Sequence, residues 1–363
     1  MIARDNRLRS AAVILLGLAM LGVAVLGLGQ YATANTELKF FRIGTASTAG
    51  TYFPIGGVLA NAISHPPGSR ECARGGSCGV PGMIATVQST EGSVDNVNLL
   101  DQGRVESALI QADVAYWAHS GEGLFEERGP VEGIRAIANL YPEAIHLVVR
   151  AGMGVRQVED LKGLRISLDA EGSGTRADAT LILDAYDVGL DEIEVYELPA
   201  GESADMMRED ELDGFFFVAG TPARAISNLA REVPLTLVPI RGPNAEALLE
   251  RYPFFTEHAI LPGTYQNVSH TQTLSVGAQW MVDAEVDEET VYLITRALWH
   301  PTNRALLDNS HPKARQIRLE TALEGVGVPL HPGAQRYYAE IGLIPPGGEA
   351  EDRRPVAIPA QGE

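Results

Sequence analysis

Residues 165–185 read RISLDAEGSGTRADATLILDA, and this stretch decides the fold. Its apolar start, 165–168, predicts a short strand, and the glycines and serine at 172–174 predict a flexible turn. Thr175 is followed three residues later by Asp178, the pattern of a capping box that opens a helix. A strand, a small-residue turn and a helix start together leave free backbone N–H groups at the positive end of a helix dipole. That arrangement suits a bound carboxylate.

Arg176 lies in the first turn of this predicted helix, where the helix dipole disfavours a cation. It therefore needs an anionic partner. A ligand carboxylate held by two parallel hydrogen bonds is one candidate. An ion pair with Asp169, Glu171 or Asp178 is the other, and the sequence leaves both open.

Three more stretches repeat the order of strand, small polar turn and helix. Their turns are ASTAG at 46–50, STEGS at 89–93 and AGTP at 219–222. In the last of them, Thr221 is the predicted helix N-cap and Pro222 the first helical residue. If these turns face one another, several helix N-termini converge on one space, as in a cleft between two lobes.

Strands and helices alternate along most of the chain, which favours an α/β fold built on largely parallel sheets. We predict a first lobe from 35–144, a second from 145–270 and a return to the first over 271–344. Two segments then cross between the lobes and form a hinge. The strands are predicted at 40–44, 84–88, 107–110, 134–139, 145–149, 165–168, 195–198, 214–218, 235–240 and 273–282.

The N-terminus predicts export. Three arginines precede an apolar run from 11–29, and Ala-Thr-Ala at 32–34 offers a cleavage site, which is typical of a signal peptide over 1–34. An uncleaved membrane anchor is the alternative, and either form places the protein in the periplasm. The end of the chain, 345–363, is rich in Pro, Gly and charge and is predicted to be disordered.

The net charge and the absence of several catalytic motifs argue against some classes of function. The net charge of −19 argues against binding to nucleic acid. The chain contains no GxSxG, HExxH, GxxxxGK[ST] or GxGxxG motif, and its eight histidines are scattered. Hydroxyls, amides and glycines at the turns suit holding a ligand more than transforming one. We therefore expect a binding protein rather than an enzyme, with no cofactor and no metal.

Cys72 and Cys78 are the only cysteines. In an exported chain, two cysteines with five residues between them predict a disulfide that closes a small polar loop. A metal site would need further ligands nearby in the sequence, and none are present.

The turns and strands together resemble the TAXI branch (TRAP-associated extracytoplasmic immunogenic proteins) of the solute receptors of tripartite ATP-independent periplasmic (TRAP) transporters. The stretches that carry the resemblance include FRIGTASTAGTYFPIGGVLANAI, TVQSTEGSVDNVNLL, IQADVAYWA, LYPEAIHLVVR, DLKGLRISLDAEGSGTRADATLILDAY, DGFFFVAGTP and ETALEGVGVPLHPGAQRYYAEIGL, which cover nearly the whole exported chain. The resemblance implies a two-lobed type II periplasmic binding protein. It would close on a small organic acid, such as glutamate, glutamine or a dicarboxylate, and deliver it to TRAP membrane subunits. A ligand-sensing input module for a membrane signalling partner is the alternative function.

The resemblance also implies the ligand contacts. They are Ser47, Thr48, Gly50, Tyr52, Ser89, Thr90, Ser93, Asn96, Gln111, Asp113, Gly172, Ser173, Gly174, Thr175, Arg176, Ala219 and Gly220. From its own position after a strand, Asp113 is either a ligand contact or a helix N-cap. Asn96 points into the same space or is solvated.

Overall fold

The structure is a computed structural model that describes residues 38–345. The predicted signal peptide, and all but the first residue of the predicted disordered tail, lie outside the described residues. The described residues from 39 onward fall within one compact unit, so the division into two lobes stays a prediction.

Ten helices and twelve strands are described below by labels in chain order. The strands are β1 Lys39–Gly44, β2 Ser64–His65, β3 Val80–Pro81, β4 Met83–Gln88, β5 Ser107–Gln111, β6 Ile134–Arg150, β7 Arg165–Ser167, β8 Glu194–Tyr196, β9 Gly214–Ala219, β10 Leu235–Leu237, β11 Thr256–Ile260 and β12 Thr271–Asp283. The helices are α1 Tyr52–Ile63, α2 Ser93–Asp101, α3 Ala112–Ser120, α4 Gly174–Ala185, α5 Ala200–Arg208, α6 Arg224–Leu229, α7 Pro243–Arg251, α8 Glu288–Leu298, α9 Pro301–Ser310 and α10 Pro332–Glu340.

Ten of the strands form one sheet, whose main path runs β4-β1-β5-β12-β6-β9-β7-β8. The two ends of this path are parallel, since β1 pairs with β4 and β5, and β7 pairs with β8 and β9. The middle is antiparallel, because β12 pairs with β5 and β6, and β6 with β9. The α/β fold class is confirmed. The sheet is mixed rather than largely parallel because two long strands run through its centre.

β6 is one continuous strand of 17 residues, so the prediction of two strands separated by a turn at 141–143 is wrong. Its first section pairs with β12 and its second, from Ala144, pairs with β9. Pro142, which has no N–H to donate, lies opposite Gly277 of β12, two residues before β9 begins to pair along the other edge of β6. The strand therefore continues through the proline and carries Glu143 into the centre of the sheet.

Two helices begin at different residues from those predicted. The N-cap of α4 is Ser173, whose side-chain oxygen accepts a hydrogen bond from Arg176 N at 3.1 Å. Thr175 is already helical, and its hydroxyl oxygen accepts a hydrogen bond from Val218 N at 3.1 Å. α6 begins at Arg224 rather than Pro222. A threonine or serine near the start of a helix can accept hydrogen bonds from several backbone groups. Because the Thr175 hydroxyl bonds to β9, Ser173 is the residue that caps α4.

The predicted disulfide between Cys72 and Cys78 is confirmed. It closes the loop after α1, in a segment that lies outside the central sheet. Within residues 38–345, no helix has both the length and the apolar character needed to cross a membrane.

Candidate ligand-binding site

A small cavity of about 40 Å³ lies between segments that are far apart in the sequence. We call residues 38–144 and 271–345 the first part of the chain, and residues 145–270 the second part. Both parts line the cavity. The lining residues are Ala46, Ser47, Gly50, Thr51, Tyr52, Glu91, Gly92, Ser93, Gln111, Glu143, Asp169, Ser173, Gly174, Thr175, Phe217 and Val218.

The helix N-termini of α1, α2 and α4 contribute to this lining, and so does Gln111, the N-cap of α3. α1, α2 and α4 follow the carboxyl ends of β1, β4 and β7. β1 and β4 are parallel neighbours, so their carboxyl ends lie at the same edge of the sheet. Crevices at such edges are where α/β proteins bind ligands. The first N–H groups of each helix have no intrahelical acceptor. Some of them are used within the protein, since Val94 N and Asp95 N donate to Gly172 O and Arg176 N donates to Ser173 Oγ; the others are donors that a ligand can use.

Eight of the residues predicted from the resemblance line the cavity. They are Ser47, Gly50, Tyr52, Ser93, Gln111, Ser173, Gly174 and Thr175. Ser93 and Gln111 are also linked to each other, because Gln111 N donates to Ser93 Oγ at 3.0 Å. This hydrogen bond fixes the Ser93 hydroxyl against the backbone of Gln111 in the cavity wall.

Three other predicted residues hold neighbouring loops, and a fourth, Thr48, does not. The Ser89 hydroxyl donates to Ala46 O at 2.9 Å, and the Thr90 hydroxyl donates to Thr45 O at 2.8 Å. Asn96 is fully buried, and its amide nitrogen donates to Thr45 O and Leu109 O, both at 2.7 Å. Thr48 is exposed and does not line the cavity.

Three predicted residues of the second part act through their backbone. Gly172 O accepts hydrogen bonds from the N–H groups of Val94 and Asp95, at 3.1 and 3.0 Å. Gly220 O accepts from the Thr51 hydroxyl at 3.2 Å. Ala219 ends β9 opposite Ala144. The Gly172 and Gly220 contacts join the two parts of the chain around the cavity.

Arg176 does not line the cavity. Its guanidinium forms an ion pair of 2.5 Å with Glu197, which is not one of the three acidic residues considered from the sequence. The side chain lies instead on an outer groove of about 930 Å³, bounded by Trp117, Leu124 and Tyr252 among others. The positive charge in the first turn of α4 is therefore balanced within the protein.

Glu143 is the main site residue that the sequence reasoning missed. It lines the cavity and is 2 % exposed, and one carboxyl oxygen has no hydrogen-bond partner within residues 38–345. Burial raises its pKa to about 8, although the Tyr52 hydroxyl, the Lys313 ammonium and the backbone N–H of Gly220 act in the opposite direction. An acidic side chain between the apolar runs of β6 was the available signal.

Lys313 supplies the positive charge near Glu143. It is 1 % exposed, and its ammonium donates to Pro142 O at 3.0 Å and to the Gln316 side-chain oxygen at 3.1 Å. Burial lowers the pKa of Lys313 to about 8, while Glu143 raises it. Lys313 does not line the cavity. Its positive charge therefore acts on the Glu143 carboxyl and not directly on a ligand.

Asp169 is a second acidic residue of the lining that the sequence reasoning did not assign to the site. Its φ of 75° lies in the left-handed region that few non-glycine residues adopt. Its carboxylate accepts a hydrogen bond from Ala170 N at 2.7 Å. Burial raises the pKa of Asp169 to about 7, and the Thr175 hydroxyl lowers it in part. Backbone strain of this kind often occurs at functional sites.

The charge of the lining is acidic. Glu91, Glu143 and Asp169 belong to it, whereas no lysine or arginine does among the described residues. Hydrogen-bond donors are nevertheless present as hydroxyls, the Gln111 amide and helix N-termini. The cavity can thus hold a carboxylate through neutral donors and a protonated nitrogen through a buried carboxylate.

One cluster outside the cavity has residue types that bind metals. The Nε2 atom of His300 lies 3.9 Å from Cys72 Sγ, with Cys78 beside them. Metal ligation by cysteine requires a thiolate, and these two sulfurs are bonded to each other. The cluster is therefore a disulfide with a neighbouring histidine.

Fold and site together define an α/β protein with a small cavity lined by the helix N-termini that follow the carboxyl ends of β1, β4 and β7. A family model described as the NMT1-like family matches residues 43–342. The chain belongs to this family.

Solved structures resemble the chain at low identity. MatC from Rhodopseudomonas palustris with bound malate has 12% identity and a TM-score of 0.49, over 84% of this chain and 97% of that one. A protein from Bordetella bronchiseptica has 12% identity and a TM-score of 0.47, over 86% and 83%. The alkanesulfonate-binding protein SsuA from Xanthomonas axonopodis pv. citri bound to MOPS has 12% identity and a TM-score of 0.43, over 86% and 82%. The family assignment depends on the family model and not on these structures.

Proposed function

We propose that the protein is a periplasmic solute receptor that binds a small amino acid of the glutamate type and delivers it to TRAP membrane subunits. The ligand leaves unchanged, so the protein is not an enzyme. The TRAP partner is proposed from the resemblance of the turn and strand sequences, with export through the signal peptide over 1–34. The observation that carries the ligand proposal is the buried, partly unpartnered carboxyl of Glu143 in a cavity otherwise rich in neutral donors.

The size of the cavity supports a receptor that opens and closes. Space of about 40 Å³ holds only a few water molecules, less than an amino acid needs. The two parts of the chain must therefore separate for a solute to enter. Because the lining comes from both parts, the solute stabilises the closed arrangement, which is how differential affinity drives a conformational change.

Glu143 favours an amino acid over a dicarboxylate. A second carboxylate beside this buried carboxyl would meet a like charge unless Glu143 stayed protonated. An ammonium group would instead favour the ionised form of Glu143, whose proton is released to solvent, and donate a charge-assisted hydrogen bond to it, which contributes about 1.5–3 kcal/mol. The donor-rich start of α4 is then free to bind the ligand carboxylate.

Calorimetry on the exported chain, starting at residue 35, tests this function with L-glutamate, L-glutamine, succinate and malate. We expect 1:1 binding of an amino acid, no new product in the NMR spectrum, and weaker binding of both dicarboxylates. Glu143→Gln should lower amino-acid affinity about 10- to 100-fold. The matched variant Glu91→Gln, at the exposed rim of the same cavity, should change affinity less than about threefold, because solvent screens its charge.

Each part of the proposal can fail separately. Dicarboxylates that bind more tightly than amino acids, with no effect of Glu143→Gln, would overturn the ligand class and leave a receptor. Conversion of a bound solute to a product would overturn the receptor itself.

A further inference from the structure

Two buried carboxyl groups face each other beside the cavity. Asp113 lies in the first turn of α3 and Asp178 in α4, both have no exposed surface, and their carboxyl groups are within hydrogen-bonding reach. The Gln111 side-chain nitrogen donates to Asp178 Oδ2 at 3.3 Å. Because α3 and α4 belong to the first and second parts of the chain, this pair bridges the two parts.

The surroundings do not allow both groups to be ionised. Within residues 38–345 neither carboxyl forms an ion pair, and both oxygens of Asp113 and one of Asp178 lack an N–H or O–H partner. The third carboxyl nearby, Glu143 on β6, adds negative charge to both, while Lys313 acts on Glu143. Two carboxylates this close share one proton, as buried acidic pairs in other proteins do.

We propose that Asp113 and Asp178 form a proton-binding pair that holds the two parts of the chain together when the cavity is closed. The shared proton turns a repulsive contact into a hydrogen bond between α3 and α4. Loss of that proton leaves two buried anions in contact and favours separation. This inference rests on the proposed function only in that closing accompanies ligand binding.

The sign of the pH dependence follows from linkage. In the separated form each carboxyl is in water with an ordinary pKa of about 3.9. In the closed form burial raises the pKa of Asp113, and burial together with the charge of Asp113 raises that of Asp178. The closed form therefore binds more protons above pH 4. Ligand affinity should fall as pH rises, by up to about tenfold per pH unit for one proton, until the closed pair has also lost its proton.

The first experiment measures L-glutamate affinity by calorimetry between pH 5 and 9 in wild type, Asp113→Asn, Asp178→Asn and the double variant. An asparagine amide donates the hydrogen bond that the shared proton supplies, so either single variant should flatten the pH profile and release about one proton more, or take up one fewer, on binding. The double variant should have the same pH profile and the same proton exchange on binding as either single variant. Asp184→Asn, an exposed carboxylate on the same helix, should keep the wild-type profile.

The second experiment needs no ligand. A Cβ placed on Gly172 would lie 3.2 Å from the Cβ of Asp95, slightly less than the roughly 3.5–4.5 Å of a disulfide, and 2.6 Å from Glu91 Oε2, so a small shift of the loop and of the Glu91 side chain is needed. The double variant Gly172→Cys and Asp95→Cys should therefore lock the two parts together. Its infrared spectrum at pH 7 should contain a protonated carboxyl band that decreases when Asp113→Asn or Asp178→Asn is added, but not with Asp184→Asn.

These two experiments distinguish an error in the proposed ligand from an error in the proposed proton-binding pair. If L-glutamate does not bind, the proposed ligand is wrong and the cross-linked protein still tests the pair. If both Asn variants keep the wild-type pH profile, or the cross-linked protein shows no change in the protonated carboxyl band, the proton-binding pair is wrong whatever the ligand is.

Discussion

Gly174 occupies a position that no side chain can share with Gln111. A Cβ there would overlap the Gln111 side-chain oxygen and approach Ser93 Oγ to 3.2 Å. Gly174→Ala should therefore push the Gln111 amide away from Asp178 and lower ligand affinity at least about tenfold, with little change in unfolding temperature. Calorimetry with L-glutamate measures the first effect and thermal unfolding the second.

Gly57 provides the matched control for that substitution. It lies in α1, has no atom within 4 Å of an added Cβ, and is not in the left-handed region. Gly57→Ala should leave affinity unchanged and slightly stabilise the helix. Equal affinities of the two variants would show that the space at Gly174 is not needed for binding.

At the residue scale, the sequence indicates small polar turns well and buried charges poorly. Glycines and hydroxyls after a strand, as at 172–175, have a local signature, and part of the cavity lining follows from it. Glu143 and Lys313 have none, because burial of a charge depends on which strands pair around it. Asp169 was visible directly after a predicted strand, but its left-handed backbone was not.

At the scale of elements, β6 is anchored to β9 and to the segment before β12 by a buried network. His146 Nδ1 lies 2.9 Å from Phe217 O, and its Nε2 lies 2.9 Å from the Tyr265 hydroxyl, which also accepts from Ala223 N at 2.9 Å. Burial lowers the pKa of His146 to about 4. The ring is therefore neutral at pH 7, with its proton on the nitrogen that donates to Phe217 O.

Tyr265→Phe should lower the free energy of unfolding by about 1–3 kcal/mol, since it leaves His146 Nε2 and the Ala223 N–H without partners in a buried site. Urea unfolding followed by circular dichroism measures the change. Tyr252→Phe is the control, because that hydroxyl forms no hydrogen bond within residues 38–345 and its ring is only partly buried. Similar losses in both variants would mean that the aromatic rings, not the hydroxyl network, stabilise this region.

The order of strands and helices was predictable along most of the chain, whereas β6 as one strand was not. Proline is a typical turn signal. Here the strand continues through Pro142 with β12 still paired along one edge, and β9 joins the other edge two residues later, at Ala144. Which strands pair along each edge of β6 is a property of the whole sheet. The same reason explains why a largely parallel sheet was expected and a mixed one is found.

At the scale of the whole molecule, the net charge of −19 opposes the approach of an anion. The cavity itself adds Glu91, Glu143 and Asp169 to that field. Affinity for an acidic solute must then come from short-range donors, which act only after the solute has entered. The long-range field and the local contacts therefore have opposite effects on the same ligand.

This opposition predicts how salt changes the kinetics. Raising ionic strength from about 0.01 M to about 0.15 M shortens the screening length from roughly 30 Å to roughly 8 Å. The association rate of L-glutamate, which carries one net negative charge at pH 7, should rise roughly twofold or more. That of L-glutamine, with no net charge, should stay nearly constant, so the pair is its own control. Stopped-flow tryptophan fluorescence measures both rates, and a glutamate rate that falls with salt would mean that a positive local potential outweighs the global charge at the cavity entrance.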